Sequence, residues 1–241
     1  MELRLAGQQR GQSPREKLFH AAGFLSAEQD FDLIDSVFFS TSNAGGAAPT
    51  VPRAAAALRD ANDIAALADC DVIVTCQGGD YTAAVHPRLR AAGWNGYWID
   101  AASTLRMADD SIIVLDPVNR KVIDAGLREG IKNFIGGNCT VSLMLMAVGG
   151  LFLNGYIEWL SSMTYQAASG AGANNMRELV DQMAIIGKAS AGLTDPNVPI
   201  LELDRRVLNT IHDTSFPTQY FGAPLAGNVI PWIDSLLENG Q

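Results

Sequence analysis

The apolar positions in the first half of the chain come in short, solid runs. Ser36–Phe39 (SVFF), Asp71–Thr75 (DVIVT), Tyr97–Ile99 (YWI), Ile112–Leu115 (IIVL) and Asn133–Ile135 (NFI) are each bounded by turn residues. Runs of that length predict buried strands. Between them, 80–92 and 119–129 have helical spacing. The second of these has Asn119 as an N-cap, apolar residues at 122, 123 and 127, and Gly130 as its stop. Strands alternating with helices predict a mostly parallel sheet covered on both faces, over residues 1–137.

After residue 137 the pattern changes. Thr140–Val148 is apolar around nearly its whole circumference, which predicts a buried helix of about 14 residues. Trp159–Gln166 (WLSSMTYQ) reads as a strand. A helix follows over 174–186, with Met176, Leu179, Val180, Met183 and Ile186 at helical spacing and Gly187 as its stop. Residues 192–200 read as a loop. The stretch PWIDSLLEN, opened by Pro231, reads as a last helix.

Composition narrows the function classes. With 48% hydrophobic and 18% charged residues, the chain suits a globular core rather than disorder. A formal charge of −9 offers no basic surface for nucleic acid. No apolar run reaches the length of a membrane span, and the start lacks the apolar heart of a secretory signal. Three cysteines, at 70, 76 and 139, make no disulfide framework and point to a reducing cytoplasm. Three isolated histidines, at 20, 86 and 212, have no metal-ligand spacing, so no metal site is expected.

The candidate chemistry sits at the ends of the predicted strands. Gly136-Gly137-Asn138-Cys139-Thr140 opens the apolar helix, where unpaired backbone N–H groups and the helix dipole favour an anion. A cysteine there is either a small packing residue or a nucleophile, and Asn138 can cap the helix or donate to a developing oxyanion. Thr41 and Ser42, in FFSTSN, bring hydroxyls without a carboxylate to a strand end, which would tolerate a ribose 2′-phosphate, although an ordinary capped turn has the same composition. Gln77 and Gly78, in TCQGGD, stand where a backbone can approach a ligand or simply turn. Arg106, soon after a strand end, can clamp a phosphate or carboxylate, or lie solvated. The Ser169-Gly170 loop is weak by itself.

Taken in order, FFSTSN, VTCQGGDYT, GYWIDAASTLRM, DPVN, FIGGNCTVSLMLM, TYQAASGAGA and PLAGNVIPWID resemble bacterial aspartate-β-semialdehyde dehydrogenase from about Glu28 to Gln241. The resemblance implies an α/β fold, in which a Rossmann-like doubly wound NADP-binding domain (1–137) precedes an incomplete α+β catalytic and dimerisation domain (138–241). It implies NADPH-dependent reduction of β-aspartyl phosphate to aspartate β-semialdehyde and phosphate, in a cytoplasmic homodimer. That step leads toward lysine, threonine, methionine and diaminopimelate. Cys139 would be the nucleophile with Asn138 beside it. Gln166 would orient the thioacyl intermediate, and Arg106 would hold the phosphate. Thr41, Ser42, Gln77, Gly78, Ser169 and Gly170 would lie along the cofactor.

Two stretches depart from that pattern. Residues 1–27 lack the expected Gly-x-x-Gly-x-x-Gly loop: Gly7 and Gly11 are four apart, and Pro14-Arg15-Glu16-Lys17 follows. No phosphate-loop residue is therefore carried over. The sequence also stops at Gln241, short of the segment where the resemblance would place the acid/base histidine and a substrate-binding arginine. This polypeptide is expected to turn over slowly on its own and to expose apolar surface. Two other readings remain at this stage: a non-catalytic remnant that associates with a partner subunit, and a cysteine acyltransferase or hydrolase without a hydride step.

Overall fold

The computed structural model describes residues 2–6 and 34–231, in two compact units divided between Tyr165 and Gln166. The first unit is built on a seven-stranded, all-parallel sheet in the order β3-β2-β1-β4-β5-β7-β6. Its strands are β1 Glu2–Ala6, β2 Asp35–Ser40, β3 Arg59–Asp60, β4 Val72–Thr75, β5 Tyr97–Asp100, β6 Ser111–Val114 and β7 Asn133–Gly136. The five expected strands lie within a residue or so of these bounds. β1 and the two-residue β3 were not among them, although β1 is a central strand, pairing Ala6 with both Phe39 and Thr75. Five residues with two leucines are too little pattern to separate from a loop. The sequence's atypical glycines and Pro14 fall outside the described residues.

Burial explains why β2 and β4 were legible. In β2, Val37 and Phe39 join one core cluster with Ile73, Trp98 and Ile135, while Phe38 joins a second with Ile34, Leu58 and Val72. A strand buried on both faces must be apolar at successive positions. Among the described residues of this unit the helices are α1 Ile64–Ala68, α2 Gly79–Ala91, α3 Asp116–Glu129 and α4 Cys139–Leu153. The expected N-cap at Asn119 is corrected. α3 starts earlier, with Pro117 in its first turn, and Asn119 sits at a break in it with φ −121° and ψ 28°. The Asn119 side chain reaches backward, accepting from Leu115 N–H at 3.0 Å and donating to the Ile113 carbonyl at 2.7 Å. Gly130 ends the helix in the left-handed region, as expected.

The burial expected for α4 is also corrected. Gly149 is its one buried residue, packed toward Val118 of α3, while Leu143, Met146 and Leu153 are exposed. Trp159–Gln166 forms no strand, and Trp159, Met163 and Tyr165 are exposed. β-propensity reports fit to a paired surface, and no strand among the described residues pairs with this stretch.

At the amino edge of the sheet a buried polar cluster ties α2 to β7. Asn133 Oδ1 accepts from Arg90 Nη2 at 2.8 Å and meets His86 Nε2 at 2.9 Å, while its Nδ2 donates to Asp110 Oδ2 at 2.9 Å. His86 Nε2 thus stands between Asn133 Oδ1 at 2.9 Å, which only accepts, and Arg90 Nε–H at 3.3 Å, which only donates, so the tautomer decides which of the two it bonds. The ring packs edge-on against Trp98. Burial pushes His86 below the ordinary histidine value, and the Arg90 charge adds to this; the Asn133 bond and the carboxylates of Asp110 and Asp100 oppose it. The unfolded chain therefore takes up a proton first as pH falls. Stability should decline below about pH 6.5 and level off beneath the depressed folded value. Thermal melts from neutral pH to about pH 5 should show this slope, and His86→Phe should flatten it. An unchanged slope in that variant would assign the acid sensitivity elsewhere.

The second unit contains a 3₁₀ turn Ala168–Ala171, α5 Ala173–Ala189 and α6 Ile200–Ile211, followed by an irregular segment to Pro231. α5 runs through Gly187, where no neighbouring atom comes within 4 Å of an added Cβ, and ends at Ser190, whose hydroxyl donates to the Ile186 and Gly187 carbonyls. α6 was not anticipated. The last predicted helix, beyond Pro231, lies outside the described residues.

The candidate active site of the first unit

Because every strand of the sheet is parallel, the loops after β2, β4, β5 and β7 leave from one edge. In open α/β sheets ligands bind outside that carboxyl edge, at the switch point between neighbouring strands. Here the switch lies between β1 and β4.

After β2, the buried Ser40 hydroxyl accepts from Ser42 N–H at 3.3 Å and Asn43 N–H at 3.0 Å, so the turn carrying Thr41 and Ser42 is held from below. Thr41 is half-buried and Ser42 exposed. After β4, Thr75 Oγ1 accepts from Gln77 N–H at 3.2 Å. The Gln77 side-chain nitrogen is buried and has no hydrogen-bond partner among the described residues. An orphaned buried donor is costly unless something completes it. Gly78 has φ 98° and ψ 170°, a conformation open essentially to glycine alone, and nothing lies within 4 Å of where its Cβ would stand. Gly78→Ala should thus cost about 1–3 kcal/mol from backbone strain alone. A melt unchanged by that substitution would refute the strain.

After β5, Asp100 is 2% exposed and anchors the loop that follows. Its Oδ2 accepts from Thr82 Oγ1 at 2.5 Å and Trp98 Nε1 at 3.2 Å, and its Oδ1 accepts from Ala102 N–H at 2.8 Å. Thr104 Oγ1 donates to the Gly79 carbonyl at 3.2 Å. At the loop's far end, Arg106 Nε donates to the Gly136 carbonyl at 2.8 Å and Nη2 to the Gly137 carbonyl at 3.1 Å.

Those glycines lead into the nucleophile turn. Asn138 is the N-cap of α4, and its Oδ1 accepts from Thr140 N–H at 3.0 Å and Val141 N–H at 3.1 Å. Cys139 is the first residue of the helix and is exposed, whereas Cys70 is buried and Cys76 half-buried. The fold thus brings Arg106 to the turn bearing Asn138 and Cys139. Gln166, Ser169 and Gly170 belong to the second unit and are exposed. Asp100 and Thr82 were not singled out from sequence; the only signal was an aspartate closing a buried strand.

Among the described residues, no group of three His, Cys, Asp or Glu side chains is placed to hold a metal ion, and no helix is long and apolar enough to cross a membrane.

Two family models match the chain: "Semialdehyde dehydrogenase, NAD binding domain" over residues 24–126, and "Semialdehyde dehydrogenase, dimerisation domain" over 148–241. The chain belongs to the semialdehyde dehydrogenase family. Cys139 lies between the two matches, in a stretch covered by likeness to solved structures. The structure of aspartate semialdehyde dehydrogenase from Francisella tularensis is 39% identical, with a TM-score of 0.85, covering 100% of this chain and 64% of that one. This chain therefore spans just under two thirds of that relative's length. Aspartate semialdehyde dehydrogenase II from Vibrio cholerae, complexed with ASA, is 21% identical with a TM-score of 0.67, covering 99% of this chain and 61% of that one. At that identity the likeness speaks to fold alone. The expectations of an α/β fold and of a Rossmann-like NAD-binding domain followed by a dimerisation domain hold.

Proposed function

We propose that this semialdehyde dehydrogenase acts on β-aspartyl phosphate, yielding aspartate β-semialdehyde and phosphate through an acyl group carried on Cys139. The observation that supports this most directly is the exposed cysteine at the first position of α4, on a turn capped by Asn138 and held by Arg106. The Cys139 sulfur attacks the acyl carbon; a C–S bond forms and the C–O bond to phosphate breaks. Asn138 spends its side-chain oxygen on the helix cap, which leaves its amide N–H groups to face the oxyanion of the tetrahedral intermediate. Arg106 Nη1 makes no hydrogen bond to a described residue, so that side of the guanidinium can meet the departing phosphate while the other holds the turn.

A nicotinamide dinucleotide suits the other half of this edge. The buried donor of Gln77, without a partner among the described residues, and the open space over Gly78 fit a ligand rich in acceptors. When bound, the reduced cofactor supplies the hydride that releases the aldehyde. NADP is the favoured form, because Thr41 and Ser42 bring hydroxyls and no carboxylate to the end of β2. The working unit is a homodimer in the cytoplasm, and its product leads toward lysine, threonine, methionine and diaminopimelate.

The test is the mass of the chain after mixing with β-aspartyl phosphate. One aspartyl group on the Cys139 peptide is expected, discharged as aldehyde faster by NADPH than by NADH. An acyl group on another residue, or none, refutes the reading.

A further inference from the structure

We infer that the loop 101–106 is a brace for the nucleophile turn, fastened at its start by Asp100 and at its end by Arg106, and that both are positioning residues for Cys139. This rests on the reading of Cys139 as the nucleophile.

The turn needs such a brace. Gly136 and Gly137 lead from β7 into α4, and two successive glycines leave the backbone more conformational freedom than any other pair. Neither glycine has a side chain to pack. Arg106 takes both carbonyls at once, with Nε and Nη2, which lie on one edge of a rigid planar fork. A guanidinium in that position fixes the direction of two successive peptide units just before the helix starts.

The brace is itself held firmly. The Asp100 carboxylate is buried and filled by three donors, from Thr82, Trp98 and Ala102. Ala101 N–H donates to the Thr75 carbonyl at 3.1 Å, and Arg106 N–H to the Ser103 carbonyl at 3.0 Å. With Thr104 bonded to Gly79, one short loop links the turn after β4 to the turn that bears the cysteine. The position of the sulfur is thus set by β5 and α2 as well as by its own helix.

The decisive variants are Arg106→Lys, Arg106→Gln and Asp100→Asn in the full chain. Lysine keeps the charge but cannot span two carbonyls in fixed geometry. If Arg106 mattered only as a charge, the lysine variant would resemble the parent. The brace predicts instead that Lys and Gln variants behave alike. Iodoacetamide labelling of Cys139 should slow by about 2- to 5-fold, the scale of a helix-terminus contribution. Amide exchange at Thr140, Val141 and Ser142 should quicken, with β4 and α2 unchanged. Asp100→Asn sets an NH2 group against a donor whichever oxygen it replaces, so it should loosen the same amides. Combined with Arg106→Lys, it should add less than its own single effect. Parent-like labelling and exchange in Arg106→Lys overturns the inference. So does loss of protection across the whole sheet, which would make Arg106 a support of the fold. Neither measurement uses cofactor or acyl phosphate, so failure of the proposed reaction leaves this result readable, and the reverse also holds.

Discussion

Replacing Cys139 with alanine is expected to reduce phosphate release from β-aspartyl phosphate by on the order of 10⁴-fold or more, the scale of deleting a covalent nucleophile. Cys76→Ala should leave that release close to the parent's, since Cys76 is half-buried and precedes the Gln77-Gly78 turn. Cys70→Ala should act on stability, because its side chain belongs to the main core cluster. The informative form of the experiment is a time course. An acylated cysteine awaiting hydride gives a burst of about one phosphate per chain followed by a slow phase. A hydrolase would release phosphate continuously without reduced dinucleotide, and a chain that only associates with a partner would release none. Release that survives in Cys139→Ala would place the chemistry elsewhere and end the reading.

Strands β2 and β4 were legible because both of their faces are covered. Phe38 and Phe39 point to opposite clusters, so neither position can be polar, and the run SVFF follows directly. The strand-end turns were legible for a related reason: a parallel sheet sends Gln77-Gly78, Arg106 and Asn138-Cys139 to one edge. What the sequence hid was the contact of Arg106 with the Gly136 and Gly137 carbonyls. Its partners are backbone atoms 30 and 31 residues away, and no residue type marks them. The apolar rule also failed at α4. An all-round apolar helix implies that something covers it. In the first unit α3 meets it along Gly149, and Leu143, Met146 and Leu153 face outward.

The largest stability effect is expected in the second unit, at a residue the apolar pattern passes over. Helical spacing marks Met176, Leu179, Val180, Met183 and Ile186 as the inward face of α5, yet Met176, Val180 and Met183 are exposed while Glu178 and Gln182 are buried. The reason is the segment after α6, whose backbone pairs with no strand among the described residues. Glu178 accepts from Tyr220 N–H at 2.7 Å and Phe221 N–H at 3.0 Å. Gln182 Oε1 accepts from Leu225 and Ala226 N–H at 2.9 Å each, and its Nε2 donates to the Pro217 carbonyl at 2.6 Å. With Asn175, whose amide donates to the Tyr220 carbonyl, one face of the helix replaces the hydrogen bonds a sheet would supply. Gln182→Ala strips three backbone groups of partners and should cost roughly 3 kcal/mol or more, with fast amide exchange at Leu225 and Ala226. Glu178→Gln should weaken the bond to Tyr220 or Phe221, because it sets an NH2 group where one of the two accepting carboxylate oxygens stood. Met183→Ala should change stability by less than about 0.5 kcal/mol, as exposed positions do. The opposite ranking, with Met183 costly and Gln182 tolerant, would mean that the apolar stripe is the packed face of α5 after all.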